Sequence, residues 1–210
     1  MKNENKRGRF IVFEGIDGAG KTTQMKLLAA RLEAVGRRVY TTAEPTVSLT
    51  GGMLRDALAG ISDKTSCEMA AMFVLDRIFH NVNPVNGIEK MLRDGYDVIC
   101  DRYYYSSMAY QGSFTDMSWV ARMNLDCPEI RRPDVCIFLD LLPEQSLERI
   151  SGSSRAFTEI YETKEKLSAV RDSFYRAFEL VKDTDNVVTV NAFDTVEAVA
   201  KEIFAEVEKI

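Results

Sequence analysis

Histidine and tryptophan each occur once in the 210 residues, and cysteine only four times. Cys67, Cys100, Cys127 and Cys136 form no C-x-x-C pair, and the single histidine, His80, stands at no metal-ligand spacing from them. That pattern excludes a structural metal site. Cys100 and Cys136 sit inside apolar runs that read as buried strands, where free, reduced thiols are expected. His80 and Trp119 read as packing or surface residues.

Positive charge is also in short supply, with 27 Lys and Arg against 32 Asp and Glu and a formal net charge of -5. A surface that tracks nucleic-acid phosphates needs a basic excess, so broad nucleic-acid binding is excluded and only a local basic pocket remains open. No apolar run approaches the ~20 residues that span a bilayer, so no membrane partner is expected. The opening MKNENKRGRF is polar and basic without the apolar stretch of a secretory signal, so cytoplasmic residence is expected. Internal repeats, low-complexity tracts and linkers are absent from the sequence as well.

What the chain does contain is an alternation of strand and helix patterns, with 46% hydrophobic and 28% charged residues. RFIVFE (9–14), RRVYTTAEP (37–45), YDVICD (96–101), PDVCIFLD (133–140) and NVVTVNA (186–192) read as five strands. Between them lie helical patterns: one from Gly20 to Gly36, a short one closed by Gly60, and a long one over 66–82 that Pro84 kinks or interrupts. Further helical pieces follow at 87–95, at PEQSLERI, near 162–182 and at the C-terminal TVEAVAKEIFAEVEKI. The alternation predicts an α/β fold, a parallel sheet of about five strands with helices on both faces, in one domain over 1–210. SGSS (151–154) reads as a surface loop between two helices.

Gly15 to Thr22 spells G-x-x-x-x-G-K-[ST], the phosphate-binding loop, with an apolar strand before it and an amphipathic helix after it. Gly15, Gly18 and Gly20 allow close backbone approach, and the loop from Ile16 through Ala19 to Thr23 offers N–H groups to a polyphosphate. Lys21 can reach the β- and γ-phosphates, and the Thr22 hydroxyl can ligate Mg²⁺. Asp17 is out of place, a carboxylate inside a cradle built for anions. A GTPase reading fails: the only D-x-x-G is D17-G-A-G20 within the loop, and TKEK (163–166) ends in Lys where a base-reading Asp is required.

Asp101 and Arg102 follow the strand YDVIC, which puts them at the C-terminal edge of the sheet, where ligands bind in open α/β folds. An acid there suits a Mg²⁺ ligand or a base, and an arginine suits a phosphate clamp.

FEGIDGAGKTTQ, MFVLDRIFH and DRYYYSSMAYQG, at these spacings, resemble the thymidylate kinase family across essentially the whole chain. The resemblance implies a P-loop kinase fold with a short lid near 149–160. It also implies transfer of the γ-phosphoryl of ATP to dTMP with Mg²⁺, and a homodimer joined through helices of the acceptor half, for which 66–82 is the candidate. By the same resemblance Asp17 bonds the sugar hydroxyl of the acceptor, Arg77 meets its base, and Phe73 stacks on thymine, although the helical spacing of Phe73 equally suits plain core packing. Arg55 and Arg102 hold the acceptor phosphate, Ser107 touches base or phosphate, and Tyr110 crowds the sugar 2′ position. With Gly18 after Asp17, the transition-state arginine is assigned to the lid, where Arg155 is the candidate and Arg149 lies nearer the ATP. Tyr104 and Tyr105 receive no role.

The chain departs from the family where many members carry R-E-P-G-G-T: here A43-E44-P45-T46-V47-S48 stands, with the glycine pair moved to Gly51 and Gly52. That departure keeps open a related kinase with another acceptor such as dUMP. A nucleotide-binding module without turnover is the third reading.

Overall fold

The apolar runs become strands in the computed structural model, which describes residues 7–151 and 163–210. They are β1 (Phe10–Glu14), β2 (Arg38–Ala43), β3 (Tyr96–Asp101), β4 (Val135–Asp140) and β5 (Val187–Asn191). The sheet order is β2-β3-β1-β4-β5, with every neighbouring pair parallel. Central β1 is buried at all five positions, as a strand covered on both faces must be, whereas edge strand β2 is nowhere fully buried.

Alternate residues of each strand feed opposite layers. Ile11, Phe13, Ile99, Ile137 and Leu139 pack under α1 (Lys21–Ala34) and α9 (Val196–Val207). Phe10, Val12, Val98, Cys100, Cys136 and Phe138 face the other layer. That layer includes α3 (Ser66–Val82), α4 (Ile88–Arg93), α5 (Tyr104–Tyr110), α6 (Met117–Leu125) and α8 (Lys164–Val181). Two more helices, α2 (Leu49–Leu58) and α7 (Pro143–Ser151), flank the C-terminal edge of the sheet. No described helix is long and apolar enough to cross a membrane.

Of the two expectations for Pro84, interruption holds and a kink does not: α3 stops at Val82, and Asn83, before the proline, has left helical geometry at ψ 123°. One local result differs from the sequence reading. The stretch after Arg102 carries α5, a 3₁₀ turn (Gln111–Ser113) and α6, which the sequence pass leaves unassigned. Three successive tyrosines carry no 3.6-residue period because Tyr103, Tyr104 and Tyr105 are all fully buried, on different sides of the chain. Their hydroxyls are satisfied inside the core: those of Tyr104 and Tyr105 both donate to Asp185, at 2.5 and 2.8 Å, and that of Tyr103 donates to the Arg131 carbonyl at 3.0 Å.

At the opposite edge of the sheet, the fully buried Asp97 of β3 accepts from the Arg9 backbone N–H and from the guanidinium groups of Arg9 and Arg37. Burial pushes its pKa up, but the arginine bonds prevail and hold it down to about 2. The carboxylate therefore stabilises the fold at pH above its unfolded-state pKa of about 3.9, and this contribution fades as pH falls through about 2. Asp97→Asn should lower stability at neutral pH by about 2 kcal/mol. Urea unfolding at stepped pH should show the gap from wild type narrowing as pH falls from about 4 to about 2.

Candidate active site

The strand that leads into the phosphate loop ends on a fully buried carboxylate, Glu14. It accepts from the backbone N–H groups of Tyr103 (2.8 Å) and Ser106 (3.1 Å) and from the Ser106 hydroxyl (2.6 Å). Tyr103 has no side-chain cap to offer α5, so Glu14 supplies that cap from a different strand. Burial raises its pKa, with the nearby Arg102 charge acting against the rise.

Gly15 then turns the chain at φ 145°, where a Cβ would lie 2.8 Å from the Leu139 carbonyl oxygen. Gly18, at φ 77°, passes under α7, where a Cβ would come within 3.0 Å of the Ser146 carbonyl oxygen. Only glycine fits both demands at either place. The Ser146 hydroxyl donates to the Asp17 carbonyl at 2.5 Å and fastens the loop to α7. α1 starts after Gly20 with no acidic residue in its first turn, so its partial positive charge faces the loop uncancelled. Ile16 points into the core, leaving its backbone to the loop.

Lys21 folds back inside the loop, donating to the carbonyls of Gly15 (3.0 Å) and Ile16 (3.4 Å). Burial, reinforced by the Arg102 charge, pushes its pKa down to about 8. Beside it, Oδ1 of Asp101 is buried with no hydrogen-bond partner among the described residues, while Thr22 is exposed at the loop rim. An orphaned carboxylate oxygen and a hydroxyl lining the same cleft are oxygen donors of the kind a hard divalent cation takes.

Two clefts open here. One, of about 500 Å³, is lined by the loop from Asp17 to Thr23 together with Asp101, Arg102 and Arg149. The other, of about 140 Å³, is lined by Glu44, Phe73, Arg77, Ser107 and Tyr110 among others. Asp17 and Arg102 line both. They form an ion pair at 2.5 Å, and the Arg102 guanidinium also reaches the Ser106 hydroxyl (3.2 Å) and lies 5.3 Å from the Tyr110 ring centroid. Arg102 is the sole described non-glycine residue at positive φ, 65°, and its N–H donates to the Phe13 carbonyl at 2.9 Å. Strain of this kind turns the side chain off the strand line and into the junction of the clefts.

A family profile described as Thymidylate kinase matches residues 13–203. The chain belongs to the thymidylate kinase family. A probable thymidylate kinase of Pyrococcus horikoshii is 40% identical over 210 residues, covering 96% of this chain and 97% of that protein. Those of Methanocaldococcus jannaschii and Methanococcus aeolicus are 35% and 40% identical over 96% and 93% of this chain, and 96% and 93% of theirs.

The family-expected side chains come together unevenly. Phe73, Arg77, Ser107 and Tyr110 share the smaller cleft with Asp17 and Arg102. Tyr110 also packs edge-on against Phe174, so it is both wall and core. Arg55 is exposed and turned away, donating to the carbonyls of Thr46 and of Pro45 (3.4 Å). Arg149 bridges the P-loop to the end of β5, donating to Ala192 O (2.8 Å) and Gly18 O (3.4 Å). Arg155, and most of the lid assigned to 149–160, lie outside the described residues.

Sequence reasoning missed two carboxylates besides Glu14. Glu44 accepts from Arg77 Nε at 2.8 Å, and both residues are almost wholly buried, which answers why a charge sits on the apolar α3. Asp76 is in no ion pair among the described residues and is held by hydroxyl and backbone donors instead. Its oxygens accept from Thr46 N–H (2.8 Å) and from the hydroxyls of Thr46 (2.6 Å), Thr50 (2.6 Å) and Ser48 (3.2 Å). Burial would raise its pKa, but these bonds prevail and hold it below its ordinary value. The T-V-S-L-T segment that replaces the family's glycine pair is thus a hydroxyl clamp on Asp76. The detectable signal for all three was an acidic residue inside or abutting an apolar run.

A nucleoside triphosphate entering the larger cleft brings anionic charge onto Lys21 and raises its pKa from about 8. Binding at about pH 9 should therefore take up close to one proton, read from calorimetry in buffers of different ionisation enthalpy. Lys21→Met should abolish the uptake; equal uptake in both proteins would assign it to another group.

Proposed function

We propose that this chain is a dTMP kinase, transferring the γ-phosphoryl of ATP to dTMP to give dTDP and ADP, on the route to dTTP. The observation that carries the reading is the shared wall: one ion pair, Asp17–Arg102, borders both a phosphate-loop cleft and a smaller, more apolar pocket. A phosphoryl transferase needs that arrangement, because holding donor and acceptor phosphates in line supplies most of the catalysis this reaction admits.

ATP lies in the larger cleft, its phosphates on the N–H groups from Gly15 to Thr23, with Lys21 at the β- and γ-phosphates and Arg149 on the donor side. Thr22 and Asp101 would hold Mg²⁺, which neutralises phosphate charge when bound. An oxygen of the dTMP phosphate attacks the γ-phosphorus as the bond to the β–γ bridging oxygen breaks. Arg102 clamps the acceptor phosphate and stabilises the charge that develops between the clefts. Asp17, freed from part of its bond to Arg102, takes the acceptor sugar hydroxyl. Arg77 and Phe73 hold the base, Ser107 steadies Arg77 from 3.2 Å, and Tyr110 closes the space a 2′-hydroxyl would need. Arg55 reaches the acceptor phosphate by leaving the Thr46 and Pro45 carbonyls, and Arg155 brings the lid charge to the transferring group. The chain works as one domain over 1–210, in the cytoplasm.

The test is ADP release with Mg·ATP and, in turn, dTMP, dUMP, UMP, dCMP and dGMP. The expected outcome is the highest kcat/KM with dTMP. A preference for dUMP would keep the chemistry and move the acceptor, and no turnover with any acceptor would end the kinase reading. Asp17→Asn should raise KM for dTMP roughly tenfold or more and lower kcat while leaving KM for ATP within about twofold.

The same reading makes the enzyme a homodimer. Leu75, Phe79 and Val82 lie at i, i+4 and i+7 on α3, all exposed, and form an apolar stripe. Sedimentation should give twice the chain mass for the wild type, and Phe79→Asp should halve it.

A further inference from the structure

His80 is the one imidazole in the chain, it is 5% exposed, and no step above uses it. Its Nδ1 lies 3.0 Å from Glu44 Oε1, and its Nε2 lies 2.8 Å from the Thr42 hydroxyl. Glu44 is itself the anion of Arg77: its other oxygen, Oε2, accepts from Arg77 Nε at 2.8 Å and stands 2.7 Å from Nη2. His80 borders a neighbouring cavity of about 380 Å³ along the outer side of β2, whereas Glu44 and Arg77 wall the acceptor cleft. A chain of contacts thus runs from edge strand β2 through His80 and Glu44 to the arginine that faces the acceptor base.

We propose that His80 is a positioning residue for acceptor recognition, holding the Glu44 carboxylate in the plane that aims Arg77 into the cleft. The inference rests on the acceptor reading of that cleft given above. An ionised carboxylate only accepts hydrogen bonds, so Nδ1 carries the proton and donates to Oε1. In the neutral ring Nε2 then accepts from the Thr42 hydroxyl, which fixes both the tautomer and the ring angle. Glu44 grips Arg77 through one oxygen, and a carboxylate held at one oxygen rotates about its terminal bond. The bond from His80 to the second oxygen removes that freedom. Arg77 is steadied elsewhere by Asn124 Oδ1 on Nη1 and by Ser107 Oγ at 3.2 Å from Nη2. With Nη2 also 2.7 Å from Glu44 Oε2, four of its five N–H groups are engaged, and the one left on Nη1 serves the acceptor.

Because the histidine is unique, its ring signals in untagged, ¹⁵N-labelled protein need no assignment. Saturating dTMP should shift them, although His80 does not itself line the acceptor cleft, and ATP alone should leave them in place. In kinetics, His80→Leu should raise KM for dTMP about tenfold, the worth of a hydrogen bond to a charged group, with kcat and KM for ATP within about twofold. His80→Asn, whose amide N–H takes the place of Nδ1–H, should restore KM to within about threefold of wild type.

Equal KM for dTMP in wild type and His80→Leu, or failure of Asn to rescue, overturns the proposal. So does a parallel change in kcat and both KM values, which marks a purely structural role. Should the leucine variant not fold, the wild-type spectra decide alone, and histidine signals unmoved by bound dTMP reject the link. A protein that phosphorylates dTMP with silent histidine signals rejects this inference by itself; one that neither binds nor phosphorylates dTMP rejects the acceptor reading together with it.

Discussion

Glu14 never reaches solvent, and the arrangement of the site depends on it. A carboxylate buried without donors would be prohibitive, so its two oxygens draw in the start of α5, through Tyr103 N–H, Ser106 N–H and the Ser106 hydroxyl. This fixes the distance between the segment that wraps phosphate and the segment that carries Asp101 and Arg102. Arg102 stands directly before that fastening and accepts a left-handed backbone as the cost of reaching the junction of the clefts. Its position is over-determined from both ends, by the Phe13 carbonyl behind it and Asp17 in front.

The electrostatics of the site follow from that geometry. Lys21 and Arg102 share a buried space, so each raises the free energy of the other's charge, and three carboxylates, Glu14, Asp17 and Asp101, compensate at different depths. Glu14 is wholly engaged with the protein, Asp17 is bonded to a cation at the cleft wall, and Asp101 keeps a buried oxygen with no partner among the described residues. Polyphosphate and metal charge arriving in the larger cleft would complete a site that the protein alone leaves unbalanced.

Most of this architecture was legible in the sequence, for identifiable reasons. Buried parallel strands announce themselves as apolar runs, and all five were placed to within two residues at each end. The phosphate loop declares itself because its glycines answer a steric demand that no other residue meets. The stretch from Tyr103 to Ala109 was illegible as structure because a helix buried on nearly every side has no polar face to set a period. The clamps on Asp76 and Glu44 were illegible because their partners come from distant segments: a row of hydroxyls at Thr46, Ser48 and Thr50 looks like an ordinary loop until the carboxylate it surrounds is in view. Arg77 was legible as a charge in need of a partner, but the partner's identity was not.

The strand order has a consequence for how the chain is made. β1 lies at the centre of the sheet, yet it pairs with β3 from Val98 onward and with β4 from Val135 onward, so its neighbours on both sides are far down the chain. During synthesis Phe10, Ile11, Val12 and Phe13 emerge well before either neighbour and wait, fully apolar and with both edges open, until β3 and then β4 have followed. Contacts of such long sequence separation form slowly, and an unpaired apolar strand is a template for association with other chains. The element that organises the finished enzyme is therefore the one most exposed to misassembly while the polypeptide is still being built, and protection of that segment by a chaperone matters more than for the late, self-contained pairing of β4 with β5.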